Sequence, residues 1–329
     1  MERAQEYWTQ APWQGTLRST EAPSPGDGEI LIRTEVSGIS RGTETLVHRG
    51  EVPDRIAELM RAPFQLGSLP APVSHGYLNV GEVLEGPESL RGRRVFTLAG
   101  HRSHIVVPEE AAHPVPDNCP SSRALLAGLA EVALNGIWEA QISLAERVAV
   151  VGGGLVGLCT ALLVSQLSPQ RVEVLEVDER RRAFISALGL TAVAPEDASS
   201  DHDVVIHTSA TEAGLSRALE ITGDDGTLVE LSWYGERAPQ VPLGADFHAR
   251  RLRIIGSQVG EVAAPKRLRR SRAERLSTAL GLLDERFDQL ITGSSPLDEL
   301  PRVMDDFALG ADWTRSEMLH VVTYGERDD

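Results

Sequence analysis

The apolar run Val148-Ala149-Val150-Val151 passes directly into Gly152-Gly153-Gly154-Leu155-Val156-Gly157 and from there into Leu158–Val164, again almost wholly apolar. A strand with no polar alternation is buried on both faces, which is the habit of parallel sheets covered by helices. The glycines fall in a Gly-x-Gly-x-x-Gly pattern at the strand-to-helix turn. Gly152 permits the tight turn, Gly154 lets a pyrophosphate come close to the backbone, and Gly157 lets helix and strand pack together. Leu155 and Val156 open the helix, whose free N–H groups and positive dipole end face an anion. This context makes Gly152, Gly154, Leu155, Val156 and Gly157 candidate dinucleotide-binding residues.

The next strand-like run, Val172-Glu173-Val174-Leu175-Glu176, ends in an acid roughly 20 residues beyond Gly157. There Glu176 accepts hydrogen bonds from adenosine ribose hydroxyls and repels a 2′-phosphate, or serves only as a solvated strand-end charge. Arg180-Arg181-Arg182 follows at once, and Arg181 is placed to meet a 2′-phosphate instead. NAD(H) is therefore expected over NADP(H). Beyond it strands and helices alternate: strands at 204–207, 227–231 and 252–257, helices at 179–188 and 215–222. That alternation predicts a doubly wound parallel sheet. Thr208-Ser209-Ala210 and Ser232-Trp233-Tyr234 lie just past the carboxyl ends of two of these strands, where ligands of such sheets bind.

The first 115 residues have a different texture. Pro23-Ser24-Pro25-Gly26-Asp27-Gly28, Gly38, Gly42, Gly81, Gly86-Pro87 and Gly92 punctuate short strand-like runs, which reads as a small barrel or sandwich. Pro53–Ala62 has a helical look, and a helix is expected from Ser121 to about Glu139. After a basic run, Lys266–Arg272, come helices near 273–283 and 297–309 and a last strand, Leu319–Thr323. The expected organisation is one β-rich domain at 1–120, completed by 285–329, around an α/β domain at 121–284.

Composition narrows the function. A net charge of −16 disfavours a phosphate backbone, so no nucleic-acid partner is expected. No apolar stretch approaches the roughly 20 residues of a membrane span, and the opening residues Met1–Gln10 show no apolar leader, which points to a cytoplasmic protein without a membrane partner. Cys119 and Cys159 are the only cysteines and support neither a disulfide framework nor a four-cysteine zinc lobe.

With Pro25–Arg33, Ser37–Glu44, Gly76–Gly86, the glycine loop, Asp203–Ser209 and Gly226–Leu231 in this order, the chain resembles the medium-chain dehydrogenase/reductase superfamily over nearly its whole length. The resemblance implies a GroES-like β-barrel catalytic domain, a Rossmann domain, hydride transfer with a nicotinamide cofactor, and a homodimer through the Rossmann edge strand near 252–257. Its nearest branch, a bacterial group named zinc-binding alcohol dehydrogenases, points toward specialised metabolism. The family's catalytic zinc positions fall on Ser40, His75 and Glu131, with Gly76 where an acid usually follows the histidine. Ser40 is a poor ligand at neutral pH, so His75 and Glu131 would be the only metal ligands, with Glu44 a further option, and zinc is not expected.

Without zinc the carbonyl must be polarised by hydrogen bonds or a positioned acid, for which Ser40, Thr43, Glu44, His75, Tyr77 and Glu131 are the candidates. By the same resemblance Arg41 meets the cofactor pyrophosphate and Asn135 lies beside the nicotinamide. His75 also reads as a packed histidine, and Ser37–Glu44 as an ordinary turn. The expected activity is hydride exchange between nicotinamide and a small polar alcohol or carbonyl. Reduction of an activated C=C or an imine stays open, as does a catalytically silent dinucleotide-binding sensor or scaffold.

Overall fold

The computed structural model describes residues 3–325; Met1, Glu2 and residues 326–329, which enter the leader and domain expectations above, lie outside it. The chain divides into two compact units, Met1–Gly128 with Leu290–Asp329, and Leu129–Gln289.

The first unit begins with β1 (Arg3–Ala11), β2 (Gln14–Glu21), β3 (Glu29–Ile39), α1 (Arg41–Arg49), β4 (Leu66–Gly67), β5 (Val73–Ser74), β6 (Asn79–Glu85), β7 (Arg94–Thr97), β8 (His104–Pro108), β9 (His113–Pro114) and α2 (Ser121–Ala124). The long strand β3 organises it, pairing antiparallel with both β6 and β8. Ile30 and Ile32 thereby pack against Val83, Val95, Ile105 and Val107.

Two local readings change here. Pro53–Ala62 is not a helix but a short 3-10 turn at Asp54–Ile56. Prolines bound the stretch, and Leu59 is left exposed, so its apolar side has nothing to bury against. Conversely, Ser37–Glu44 is no simple turn: it runs from the end of β3 into α1. That helix buries Val47 and His48 and closes on Gly50, whose φ of 71° is the left-handed cap glycine supplies.

The second unit contains α3 (Ala127–Ala140), β10 (Arg147–Val151), α4 (Leu155–Ser165), β11 (Arg171–Leu175), α5 (Glu179–Ala187), β12 (Thr191–Val193), β13 (His202–His207), α6 (Glu212–Ile221), β14 (Thr222–Glu230), β15 (Arg253–Gly256) and α7 (Arg272–Gly281). Its six strands form one parallel sheet in the order β12-β11-β10-β13-β14-β15. Val148, Val150 and the α4 residues Leu158–Val164 are fully or almost fully buried, as a helix apolar on every side requires. The mixed architecture is the doubly wound Rossmann sheet plus a GroES-like β unit.

The helix expected from Ser121 to Glu139 is broken into α2 and α3. The units change over at Gly128/Leu129 and Gln289/Leu290, rather than at the 120/121 and 284/285 of the sequence reading. The reason is local packing: a side chain at Gly128 would press on Leu78 and Phe96, so α2 and the start of α3 stay with the β unit. The chain then returns through β16 (Ile291–Pro296), α8 (Leu300–Leu309) and β17 (Leu319–Thr323), with β17 pairing antiparallel to β3. Val303, Met304 and Phe307 of α8 share a core with Tyr7 and Ile39. Among the described residues no helix is long and apolar enough to cross a membrane.

Candidate active site

In the parallel sheet β10 lies between β11 and β13, so the loop after β10 leaves the sheet where its winding reverses. Gly152 there has φ 114°, and a Cβ on it would sit 2.9 Å from Thr208 Oγ1 and Ser209 Cα. A Cβ on Gly157 would run into the Gly152 carbonyl oxygen. These two glycines are demanded by the chain's own packing. Gly154 is different: it caps α4, and a Cβ there would meet nothing within 4 Å. No side chain caps the first turn of α4, leaving the amides about Leu155 and Val156 to an incoming anion.

Glu176, just past β11, is buried, with Oε2 accepting from the Gly153 N–H at 3.1 Å and Oε1 from the Asp178 N–H at 2.9 Å. It is thus drawn against the glycine loop rather than left as a solvated charge. Arg181 Nη1 stands 4.0 Å from Glu176 Oε2, and Arg182 donates to the carbonyls of Glu176 and Val177.

The ends of β13 and β14 carry a directed network that the sequence reading missed. The Thr208 hydroxyl donates to the Gly152 carbonyl at 3.0 Å, and the Ala210 N–H to Ser232 Oγ at 3.1 Å. Beneath them His207 is wholly buried; its Nδ1–H donates to the Glu230 carboxylate at 2.8 Å, and Nε2 accepts from the Ser209 hydroxyl at 2.7 Å. Glu230 also accepts from the Ser232 N–H and the Tyr234 hydroxyl. Burial alone would push the Glu230 carboxyl up, but His207 and Ser232 hold it below the usual carboxylate range. Trp233 keeps its indole N–H buried without a partner, a donor pointing at no acceptor of the protein. Nothing in the local sequence distinguishes His207 from a packed histidine, since Glu230 is on another strand.

In the first unit, Ser40 Oγ and the Tyr77 hydroxyl share a short hydrogen bond, and Tyr77 lies 3.4 Å from Thr43 Oγ1. Burial raises the Tyr77 phenol, which therefore stays protonated and able to donate. Behind this cluster Glu44 Oε1 accepts from the Ser40 N–H at 2.8 Å, while Oε2 accepts from His101 Nε2 at 2.8 Å. His101 Nδ1 then accepts from Ser37, whose hydroxyl is 2.8 Å from that of Tyr324. Glu44 is accordingly a buried strut that fixes Ser40, not a group presented to a substrate. His75 is packed edge-on to Tyr77, and Gly76 beside it has φ 129° with Gly100 Cα 2.8 Å from where a Cβ would be. That contact explains why no acid follows the histidine. Arg41 donates to the Thr314 carbonyl at 2.7 Å.

Glu131 and Asn135, expected at the reacting end, are bound up within the second unit. Arg275, almost completely buried, donates from Nε to Glu131 at 3.0 Å and from Nη1 to Asn135 Oδ1 at 2.6 Å. Asn135 further accepts from the Ala263 N–H and donates to Ser257. Both side chains hold the 257–263 segment onto α3; a guanidinium uses its fork of donors this way. Burial nonetheless leaves the Glu131 carboxyl above its ordinary range, with Arg275 pulling it back.

The donors at the family's zinc positions do not fit a zinc ion. Ser40 is engaged by Tyr77 and Glu131 by Arg275, which leaves one imidazole where three ligands are needed. Among the described residues no group of three or more His, Cys, Asp or Glu side chains is arranged to hold a metal.

No protein-family model matches the chain. Comparison with curated proteins finds 2-dehydro-3-deoxy-L-galactonate 5-dehydrogenase of Pseudoalteromonas atlantica, 22% identical over 274 residues that cover 74% of this chain and 79% of that protein. It also finds erythritol/L-threitol dehydrogenase of Mycolicibacterium smegmatis, 25% identical over 250 residues, 71% of this chain and 65% of that one. Among solved structures, a Sinorhizobium meliloti protein described as a zinc-binding dehydrogenase and bound to NADP superposes with a TM-score of 0.77 at 20% identity, covering 98% of this chain and all of the other (100%). An alcohol dehydrogenase of Escherichia coli CFT073 complexed with NADH gives 0.77 at 17% identity, with 98% and 100% covered. The fold is that of the two-unit nicotinamide dehydrogenases. The curated relatives include dehydrogenases and zinc-type alcohol dehydrogenase-like proteins, and the chain is similar to them at 22–26% identity.

Proposed function

We propose that this protein is an NAD(P)-dependent dehydrogenase that exchanges hydride between nicotinamide and a small polar alcohol or carbonyl, with NAD(H) preferred and no zinc in the step. The observation that carries the reading is the open space over Gly154 at the uncapped start of α4, where the sheet's winding reverses. Gly152–Gly157 would hold the pyrophosphate, with the strand-end loops Thr208–Ala210 and Ser232–Tyr234 beside it. The bound cofactor supplies the hydride donor and acceptor.

The chain's own part is to orient and to handle the substrate oxygen. The Tyr77 phenol, paired with Ser40 and close to Thr43, offers a hydrogen bond to a carbonyl oxygen that gains negative charge. Preference for NAD(H) is supported by the Glu176 carboxylate at the glycine loop, which would face a 2′-phosphate, and by Arg182 being committed to main-chain carbonyls. The named dehydrogenases among the relatives favour alcohol oxidation over C=C or imine reduction, and over a silent scaffold. A homodimer through β15, at the free edge of the parallel sheet, remains part of the proposal, to be checked by light scattering.

Thermal denaturation with NADH, with NADPH and without ligand tests the cofactor reading. A ligand at a hundredfold its dissociation constant adds about 2.7 kcal/mol to the native state. A shift with NADH alone is expected; a larger shift with NADPH would reverse the preference, and none with either would remove the function.

A further inference from the structure

Arg275 and Arg102 are both buried, yet only one of them is satisfied. Arg275 donates to the Glu131 carboxylate, to Asn135 Oδ1 and to the main-chain carbonyls of Glu261 and Val259, so every nitrogen of its guanidinium has an acceptor. Arg102 donates from Nη2 to the Phe64 carbonyl at 2.8 Å. Its Nε is buried with no acceptor, and among the described residues no carboxylate pairs with the guanidinium. Glu6, the acid that acts on it through space, accepts from the Trp8 indole N–H at 2.8 Å instead. Burial draws Arg102 below its ordinary pKa, and Glu6 and Tyr324 bring it only part of the way back.

The main chain holds this residue in place. The Arg102 N–H donates to the Gly100 carbonyl at 3.0 Å, its carbonyl accepts the Thr34 hydroxyl at 2.6 Å, and the residue bridges to Glu6 of β1. A buried charge without a partner is costly, and native structures rarely keep one without a use. Pinning the Phe64 carbonyl does not account for it, because Arg61 already braces the same loop from an exposed position, donating to the carbonyls of Gln65 and Gly67. Phe64 adjoins Gln65, whose Oε1 lies 2.9 Å from His75 Nδ1, and Arg102 adjoins His101, which holds Glu44. We propose that Arg102 is an anion-binding group that takes the carboxylate of a small organic acid, at a site made of first-unit residues alone.

The donor set selects a carboxylate. The Nε–H and a neighbouring Nη N–H form a planar fork that matches the two oxygens of one carboxylate. A single guanidinium balances a single negative charge, and Glu6 opposes a second, so a phosphate dianion finds too little positive charge there. The acid supplies both the acceptor and the countercharge that the fold withholds from Arg102. Its binding makes and breaks no bond and needs no nicotinamide, so it can be measured apart from the dehydrogenase reading.

The test is a thermal-midpoint titration of the full-length protein with acetate, the bare group, and with gluconate, a hydroxy acid. Chloride at matched ionic strength, uncharged erythritol and inorganic phosphate are the controls. At least one acid should raise the midpoint saturably, chloride and erythritol should not, and phosphate should bind more weakly. Arg102→Lys keeps the charge but loses the fork and should weaken the acid about tenfold. Arg102→Met should abolish the shift, with a ligand-free midpoint no lower than that of the wild type, since the charge it removes has no partner. Glu6→Gln removes the opposing charge and should tighten the acid roughly threefold. No shift with either acid, a shift that chloride reproduces or that survives Arg102→Met, or phosphate binding more tightly than both acids would each overturn the inference. If Arg102→Met does not fold, Glu6→Gln decides: a lowered midpoint without tighter acid binding makes Glu6 the structural partner of Arg102 and overturns it as well. The NADH-induced shift of the wild type is separate from all of these outcomes, so failure here leaves the dehydrogenase reading standing.

Discussion

The glycine loop of the second unit and the hydroxyl cluster of the first are made of different materials. The loop offers main-chain amides and empty volume; its specificity lies in where a Cβ is forbidden. The cluster offers side chains, and each is held by a further layer: Ser40 by Glu44 and His101, His75 by Gln65. A site of backbone is fixed once strand, turn and helix are in place. A site of side chains is only as good as the groups behind it.

The largest effect should come from the strut that separates structure from chemistry. Arg275→Met strands the Glu131 carboxylate in a buried setting and should cost about 3–5 kcal/mol of stability by denaturant titration. Wild-type stability in that variant would return Glu131 to the list of groups free to act. Next, Tyr77→Phe removes a donor without removing bulk and should lower kcat/KM by about 10²–10³. Its NADH thermal shift should be that of the wild type, since the loop is in the other unit; loss of both would break the division of labour drawn here.

A pH series sharpens the same contrast. Burial pushes His75 down to about 4 from an ordinary value of 6.5, so between those values the unfolded chain binds more protons than the folded one. Stability is full above pH 6.5 and falls as pH drops toward 4, by about 3 kcal/mol at most. In His75→Gln this part of the acid loss should vanish, and an unchanged profile would place the loss elsewhere. The smallest effect is expected at the loop. Gly154→Ala, with open space and an ordinary φ of −80°, should leave the thermal midpoint alone but weaken NADH about tenfold, or about 1.4 kcal/mol. Gly157→Ala, blocked by the Gly152 carbonyl, should instead cost about 1–3 kcal/mol of stability by overpacking. If both variants behave alike, the distinction between a glycine kept for packing and one kept for a ligand fails.

Much of the fold was legible because its signals are local. The run Val148–Val151, the glycine spacing and the apolar α4 specify strand, turn and helix from neighbouring residues alone, and the strand Leu319–Thr323 is found with those bounds. The helix Arg41–Arg49 was less legible, since Gly42 and a thin apolar side hide it until α8 covers that face. Of the candidate site, the sequence offers the loop residues and the Ser40, Thr43, His75 and Tyr77 set as candidates. Gln65, His101, His207 and Arg275 are not among them, because each acts through a partner on a different segment of the chain.

The sequence by itself determined the parallel sheet, the glycine turn that opens α4 and the absence of a four-cysteine zinc lobe. Hydrophobic period, glycine spacing and residue type act over a few neighbouring positions and do not depend on the rest of the fold. Only the tertiary structure decided that Glu131 answers to Arg275, that Glu176 folds against Gly153, and that His75 Nδ1 meets Gln65. Hydrogen-bond direction and the cost of a buried charge depend on which groups packing brings within about 3 Å of one another, and no local pattern of residues encodes that.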